Sequence, residues 1–142
     1  SCTMAMAQKQ DAVKKRLSRE QLAEKMAKRI AHQSAFSESQ TQKFVDAYSR
    51  QQKEIWALGE NREPKNVQER FDRREKILSI RKKYYKEYAT FLSQEQVNRV
   101  YELEQRQMKQ MLQRNKKQAK EQRKKAKKER AKKCPNQHTG IE

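Results

Sequence analysis

Glycine and proline are nearly missing from this chain, with two of each in 142 residues. Turns and chain reversals draw on those residues, so their scarcity predicts long helices joined by few connections. Strand-type alternation of apolar and polar residues is also missing. The β-branched and aromatic residues fall at helical spacings instead. No apolar stretch approaches the ~20 residues that a membrane-spanning helix needs. The fold class read from these absences is all-α.

The chemistry-bearing residues are equally sparse. There is no glycine-rich phosphate loop, and the two histidines, His32 and His138, have no catalytic partner in sequence. Neighbouring carboxylates such as Glu102 and Glu104 sit among Lys and Arg, where solvated helical ion pairs are expected. No catalytic residue, and no cofactor, is expected. Cys134 and His138 offer two ligands where a closed zinc site takes four, so no metal is expected either. Cys2 and Cys134 lie at opposite ends, and a bridge between them depends on geometry that spacing does not supply.

Apolar mass is also low. Leu, Ile, Val and Phe number 21 of 142 residues, about 15%, where a packed core ordinarily has at least ~20%. Any core is therefore thin and invites completion by a partner or a second copy.

What the chain has in abundance is positive charge: 36 basic against 18 acidic residues, a net +18. Nucleic acid, an anionic membrane surface and acidic or unfolded protein all suit such a balance.

The apolar spacing places four helices. Leu22, Met26 and Ile30 mark the first, beginning after Ser18 and ending near Gln33. Phe44, Val45, Tyr48, Ile55 and Trp56 mark the second, which opens at Ser37 and ends at Gly59, a residue suited to the C′ position. Residues 59–66 are the one true loop. The third helix runs from about Val67 to Tyr88 with Phe71, Leu78, Tyr85 and Tyr88 on one stripe, widened by Ile77, Ile80 and Tyr84. The fourth follows Ser93 and carries Val97, Val100, Tyr101, Met108, Met111 and Leu112. The helical domain thus spans 17–112. Residues 1–16 precede it, and 113–142 form a basic extension and tail.

Residues 113–133 hold twelve basic and two acidic side chains, a net +10. Their composition favours helix but leaves no apolar face to bury. Arg114, Lys116, Lys117, Lys120, Arg123, Lys124, Lys125, Lys127, Lys128 and Arg130 are the candidates here for holding an anionic partner. A run of this kind neutralises phosphates, giving salt-dependent binding of RNA or DNA. With no interleaved aromatic, base stacking is not expected.

At the N-terminus, Ala5-Met6-Ala7 has the A-x-A form that signal peptidase cleaves. Ser1-Cys2 has the form of a lipoprotein end, and a tag remnant is the plain alternative. Export is the expectation drawn from these residues, and a cytoplasmic location is the alternative.

One short pattern occurs three times: Leu17-Ser18-Arg19-Glu20-Gln21, Phe36-Ser37-Glu38-Ser39-Gln40 and Leu92-Ser93-Gln94-Glu95-Gln96. Ser-x-x-Gln is a capping box. The serine oxygen accepts from the N3 amide, and the N3 glutamine reaches back to the N-cap amide. A staple is expected between the residue before the serine and the one after the glutamine, at Leu17/Leu22 and Leu92/Val97. The second and third copies are 56 residues apart, and that offset carries Phe44 onto Val100 and Ala47 onto Leu103. They read as an internal duplication of a helix–cap–helix unit.

Two copies of [Leu/Phe]-Ser-x-x-Gln in a small, basic, helical chain resemble the Spy/CpxP (LTxxQ) family of bacterial periplasmic stress proteins. The resemblance covers about residues 18–112 and rests on Phe36, Ser37, Gln40, Leu92, Ser93 and Gln96, with Ser where the family has Thr and, once, Phe where it has Leu. It implies a thin cradle-shaped homodimer that holds unfolded protein clients or acts on an envelope stress sensor kinase. Met26, Ile30, Met108 and Met111 are then the candidate client-holding side chains, methionine being adaptable to varied partners.

Overall fold

The computed structural model describes residues 17–59 and 62–133. Among them are four helices: α1 (Arg19–Gln33), α2 (Glu38–Ala57), α3 (Val67–Phe91) and α4 (Gln94–Lys133). Helix accounts for 87% of the described residues and no strand occurs among them. The chain divides into two units, the first ending at Tyr101 and the second beginning at Glu102. Cys2, Cys134, His138 and the Ala5-Met6-Ala7 pattern lie outside the described residues.

All three capping boxes form. Ser18 and Gln21 exchange bonds of 3.2 and 2.9 Å, Ser37 and Gln40 of 3.1 and 3.0 Å, and Ser93 and Gln96 of 3.2 and 2.9 Å. Each serine leaves a helix entrance with two of its otherwise orphaned amides satisfied, for a gain of about 1 kcal/mol. Helix α3 starts differently: Asn66 Oδ1 accepts from the Glu69 amide at 2.8 Å, while the Glu69 carboxylate takes the Lys65 amide at 2.7 Å.

The staples divide. Leu92 and Val97 are both buried, whereas Leu17 and Leu22 are exposed, so the expected Leu17/Leu22 staple buries neither residue. The first box closes through polar atoms alone.

Between α1 and α2 the chain turns in four residues. The Phe36 amide reaches Ala31 O at 3.0 Å and the Ala35 amide reaches His32 O at 3.2 Å, the paired bonds of a Schellman motif. Ala35 occupies the left-handed position, φ 54°, where glycine is usual. Gly59 stands at the C′ position of α2, as expected, but without the left-handed φ usual there: no glycine among the described residues has positive φ. Its lack of a side chain serves another purpose. The Arg73 guanidinium lies where a Cβ would stand, donating to the carbonyls of Gly59 (3.0 Å) and Arg62 (2.6 Å) and tying the loop to α3.

The first unit is built on α2. Alanines 23, 27 and 31, with Ile30, present a flat face on α1 that lets α2 approach closely. Phe44 is fully buried at the centre, with ring centroids of Tyr88, Phe36 and Tyr48 at 5.1, 5.5 and 5.7 Å. Burying such a ring stabilises by about 2–3 kcal/mol. Gln51 is also buried, and its side-chain oxygen accepts from the Tyr88 hydroxyl at 3.0 Å. A buried amide needs such a partner.

Helix α3 corrects the expected stripe. Tyr88 is buried, but Phe71, Leu78 and Tyr85 are exposed. Residues seven apart share one direction on a helix, and Tyr84 and Tyr88 point about a quarter-turn away from that row. It is their direction that meets α2.

Candidate interaction surfaces

The motif residues come together. Gln40 Nε2 donates to Gln96 Oε1 at 3.0 Å, and Gln96 Nε2 donates to Gln40 Oε1 at 3.1 Å. Gln40 Nε2 also donates to the Phe91 carbonyl at 3.2 Å. The N-cap amides of Ser37 and Ser93 fix which amide atom is oxygen in each glutamine, so the pair has one consistent orientation. The two boxes thus brace one another across the 56-residue offset. Gln21, in the first box, makes only its local pair among the described residues. This separates the copies at 36 and 92 from the copy at 17, as the shared offset implied. The aligned positions behave alike: Phe44, Val100, Ala47 and Leu103 are all buried.

The four expected client-holding side chains do not share one fate. Ile30 is fully buried against the α1–α2 contact and offers nothing to a partner, which corrects that expectation. Its position on the same face as Ala23 and Ala27 is the reason. Met26 is partly covered, and its sulfur accepts from the Tyr48 hydroxyl at 3.0 Å, so it serves the core edge. Met108 and Met111 are exposed by half or more, together with Leu112.

Two apolar surfaces therefore stand open. In the first unit, Val67, Phe71 and Leu78 form a row on α3. In the second, the open residues are Met108, Met111 and Leu112. Sequence periodicity registered the α3 row as core because it reports an apolar face without reporting what covers it.

The basic candidates from Arg114 to Arg130 all lie on α4, which continues as helix to Lys133, and all are exposed. Over residues 113–133 the net charge is +10.

A charged cluster joins α2 and α3. Arg50 pairs with Asp46 at 3.0 Å and with Glu87, and Lys83 pairs with Glu54 at 2.5 Å. The bonds to Glu87 and Asp46 hold the Arg50 guanidinium more firmly protonated than usual. Lys83 first, then Tyr84, lower the Glu54 carboxyl below its ordinary range. Burial first, then the Glu54 carboxylate, push the Tyr84 hydroxyl up to about 12. Arg50 and Lys83 both stand over the Tyr84 ring, at 5.7 and 5.1 Å. Arg50 and Glu54 each have a partner that keeps the charge in place, while the Tyr84 hydroxyl between them is kept neutral, the signature of a structural clamp between helices.

Trp56 is half-covered, with the Arg19 guanidinium 4.6 Å above its ring. Among the described residues no three His, Cys, Asp or Glu side chains gather as metal ligands. No described helix is long and apolar enough to cross a membrane.

Neither a protein-family model, nor a curated protein, nor a solved structure matches this chain.

Proposed function

We propose that the protein is a non-enzymatic binding protein of Spy/CpxP type, exported to the periplasm, that holds unfolded or partly unfolded acidic segments. The observation that carries this reading is the reciprocal Gln40–Gln96 pair. It gives the duplicated [Leu/Phe]-Ser-x-x-Gln motif, on which the family resemblance rests, a shared structural task. Open apolar residues on a strongly basic chain supply the rest. Charge speeds the encounter with acidic segments, and Val67, Phe71, Leu78, Met108 and Met111 then contact their apolar side chains. Homodimerisation would supply the apolar burial that the thin core lacks. An envelope stress sensor is the alternative partner for the same surfaces.

The reading is tested by light scattering of a chemically denatured acidic client diluted into buffer with the full chain. Suppressed aggregation is expected at near-equimolar protein, weakened by Phe71→Asp with Leu78→Asp. Absence of suppression at any ratio removes the reading. Sedimentation at micromolar concentration should show a dimer.

A further inference from the structure

The second half of α4 has an order that its composition hides. Leu112, Ala119 and Ala126 recur every seven residues, and Met108, Asn115 and Gln122 recur at the same interval, four residues ahead of each. Alternating steps of four and three along a helix draw one continuous seam. Every charge on residues 108–126 lies off that seam, which ends there because Glu129 takes its next position. The flank beside it is Lys109, Lys116, Arg123 and Arg130, again one residue in seven and always a cation. The opposite flank ends in Lys125 and Lys132. Each of these side chains is exposed except Ala119, which is half-covered.

Such a seam with charged flanks is the surface of a coiled-coil strand, in which the flanking charges choose the partner. A second copy is a poor fit. In an antiparallel pair the cationic flanks would face each other, and in a parallel pair they would meet Met111, Gln118 and Lys125, with no acid to answer them. Phosphates are a poor fit for a different reason. A polyanion rewards cations at any position and has no use for a strict period of seven or for exposed Met108 and Leu112. A helix with acidic flanks answers both features. Alanines at 119 and 126 permit close approach.

We propose that residues 108–126 of α4 are one strand of a coiled coil whose other strand is an acidic helix with leucine-type residues on its seam. This inference does not rest on the client-holding reading, which concerns unfolded segments.

The test uses the full-length chain and a synthetic four-heptad peptide with Leu on the seam and Glu on both flanks. Calorimetric titration should saturate, and circular dichroism should show helix gained beyond the sum of the parts. A scrambled peptide of the same composition should bind at least roughly tenfold more weakly. Lys116→Glu with Arg123→Glu turns two attractive pairs repulsive, which should weaken binding roughly tenfold. The same variant should strengthen binding to a Lys-flanked peptide. Both substitutions are on exposed positions, and an unchanged melting curve confirms the fold. Equal binding of the scrambled peptide would overturn the proposal in favour of simple charge attraction. Displacement of the peptide by a DNA duplex that binds more tightly, with a steep salt dependence, would overturn it in favour of a nucleic-acid surface. Client suppression, measured on the same variant, reports separately on the reading above.

Discussion

Helix α4 begins in the first unit and runs on into the second, and its two stretches treat the same kind of residue in opposite ways. Val97 and Val100, in its early turns, are buried, and the glutamine of its cap is locked to another cap. Met108, Met111 and Leu112, three to four turns later, are open. The spacing is helical and apolar in both stretches. What differs is that the early stretch is covered and the later one, from Met108, is not. An apolar period thus states a demand for a partner, and where that partner comes from decides between core and interaction surface.

The largest effect that would sharpen this contrast is in the aromatic centre. Phe44→Ala should cost about 3–5 kcal/mol in chemical denaturation, while Leu112→Ala should stay within about 0.5 kcal/mol. Similar losses at both sites would mean that Leu112 is covered in solution.

Next is the brace. Gln40→Ala and Gln96→Ala each remove a capping contact and half of the paired amides, for about 1–2 kcal/mol apiece. A double-mutant cycle should return a coupling of at least about 0.5 kcal/mol. Gln21→Ala, paired with either, should give none. Additivity between Gln40 and Gln96 would show that the boxes act separately.

A smaller effect, of opposite sign, is expected at the turn. Ala35→Gly relieves a left-handed alanine and should stabilise by about 1 kcal/mol. A lower melting temperature for this variant would place Ala35 outside the left-handed region.

A last effect is alkaline. Folding raises the Tyr84 pKa from 10.0 to about 12, so the folded chain keeps a proton that the unfolded chain loses first. The associated stability is complete below pH 10 and is lost as pH rises toward 12. Tyr84→Phe should therefore flatten the fall in melting temperature across that window, and an unchanged slope would assign the fall to other groups.

Much of the first unit was legible because its signals are local. A capping box is four residues long, and its geometry follows almost wholly from its own letters, so Ser18, Ser37 and Ser93 were placed from sequence. Gln51 was not, since one glutamine in Arg50-Gln51-Gln52 carries no mark of burial until Tyr88 arrives beside it. Ile30 and Phe71 exchanged roles for the same reason: each sits in a helical period, and only the packing of α1 and α3 on α2 chooses which faces close. At Gly59 the residue type suggested a backbone conformation, while its use lay in admitting the Arg73 guanidinium.

The paired glutamines also bear on how the chain opens. Helix ends ordinarily fray one at a time, each releasing its first amides to solvent. Here, pulling Gln40 from its cap strips a partner from Gln96, and the reverse holds as well. The first turns of α2 and α4 should exchange their amide hydrogens as a single unit, slower than the first turn of α1 and at a shared rate.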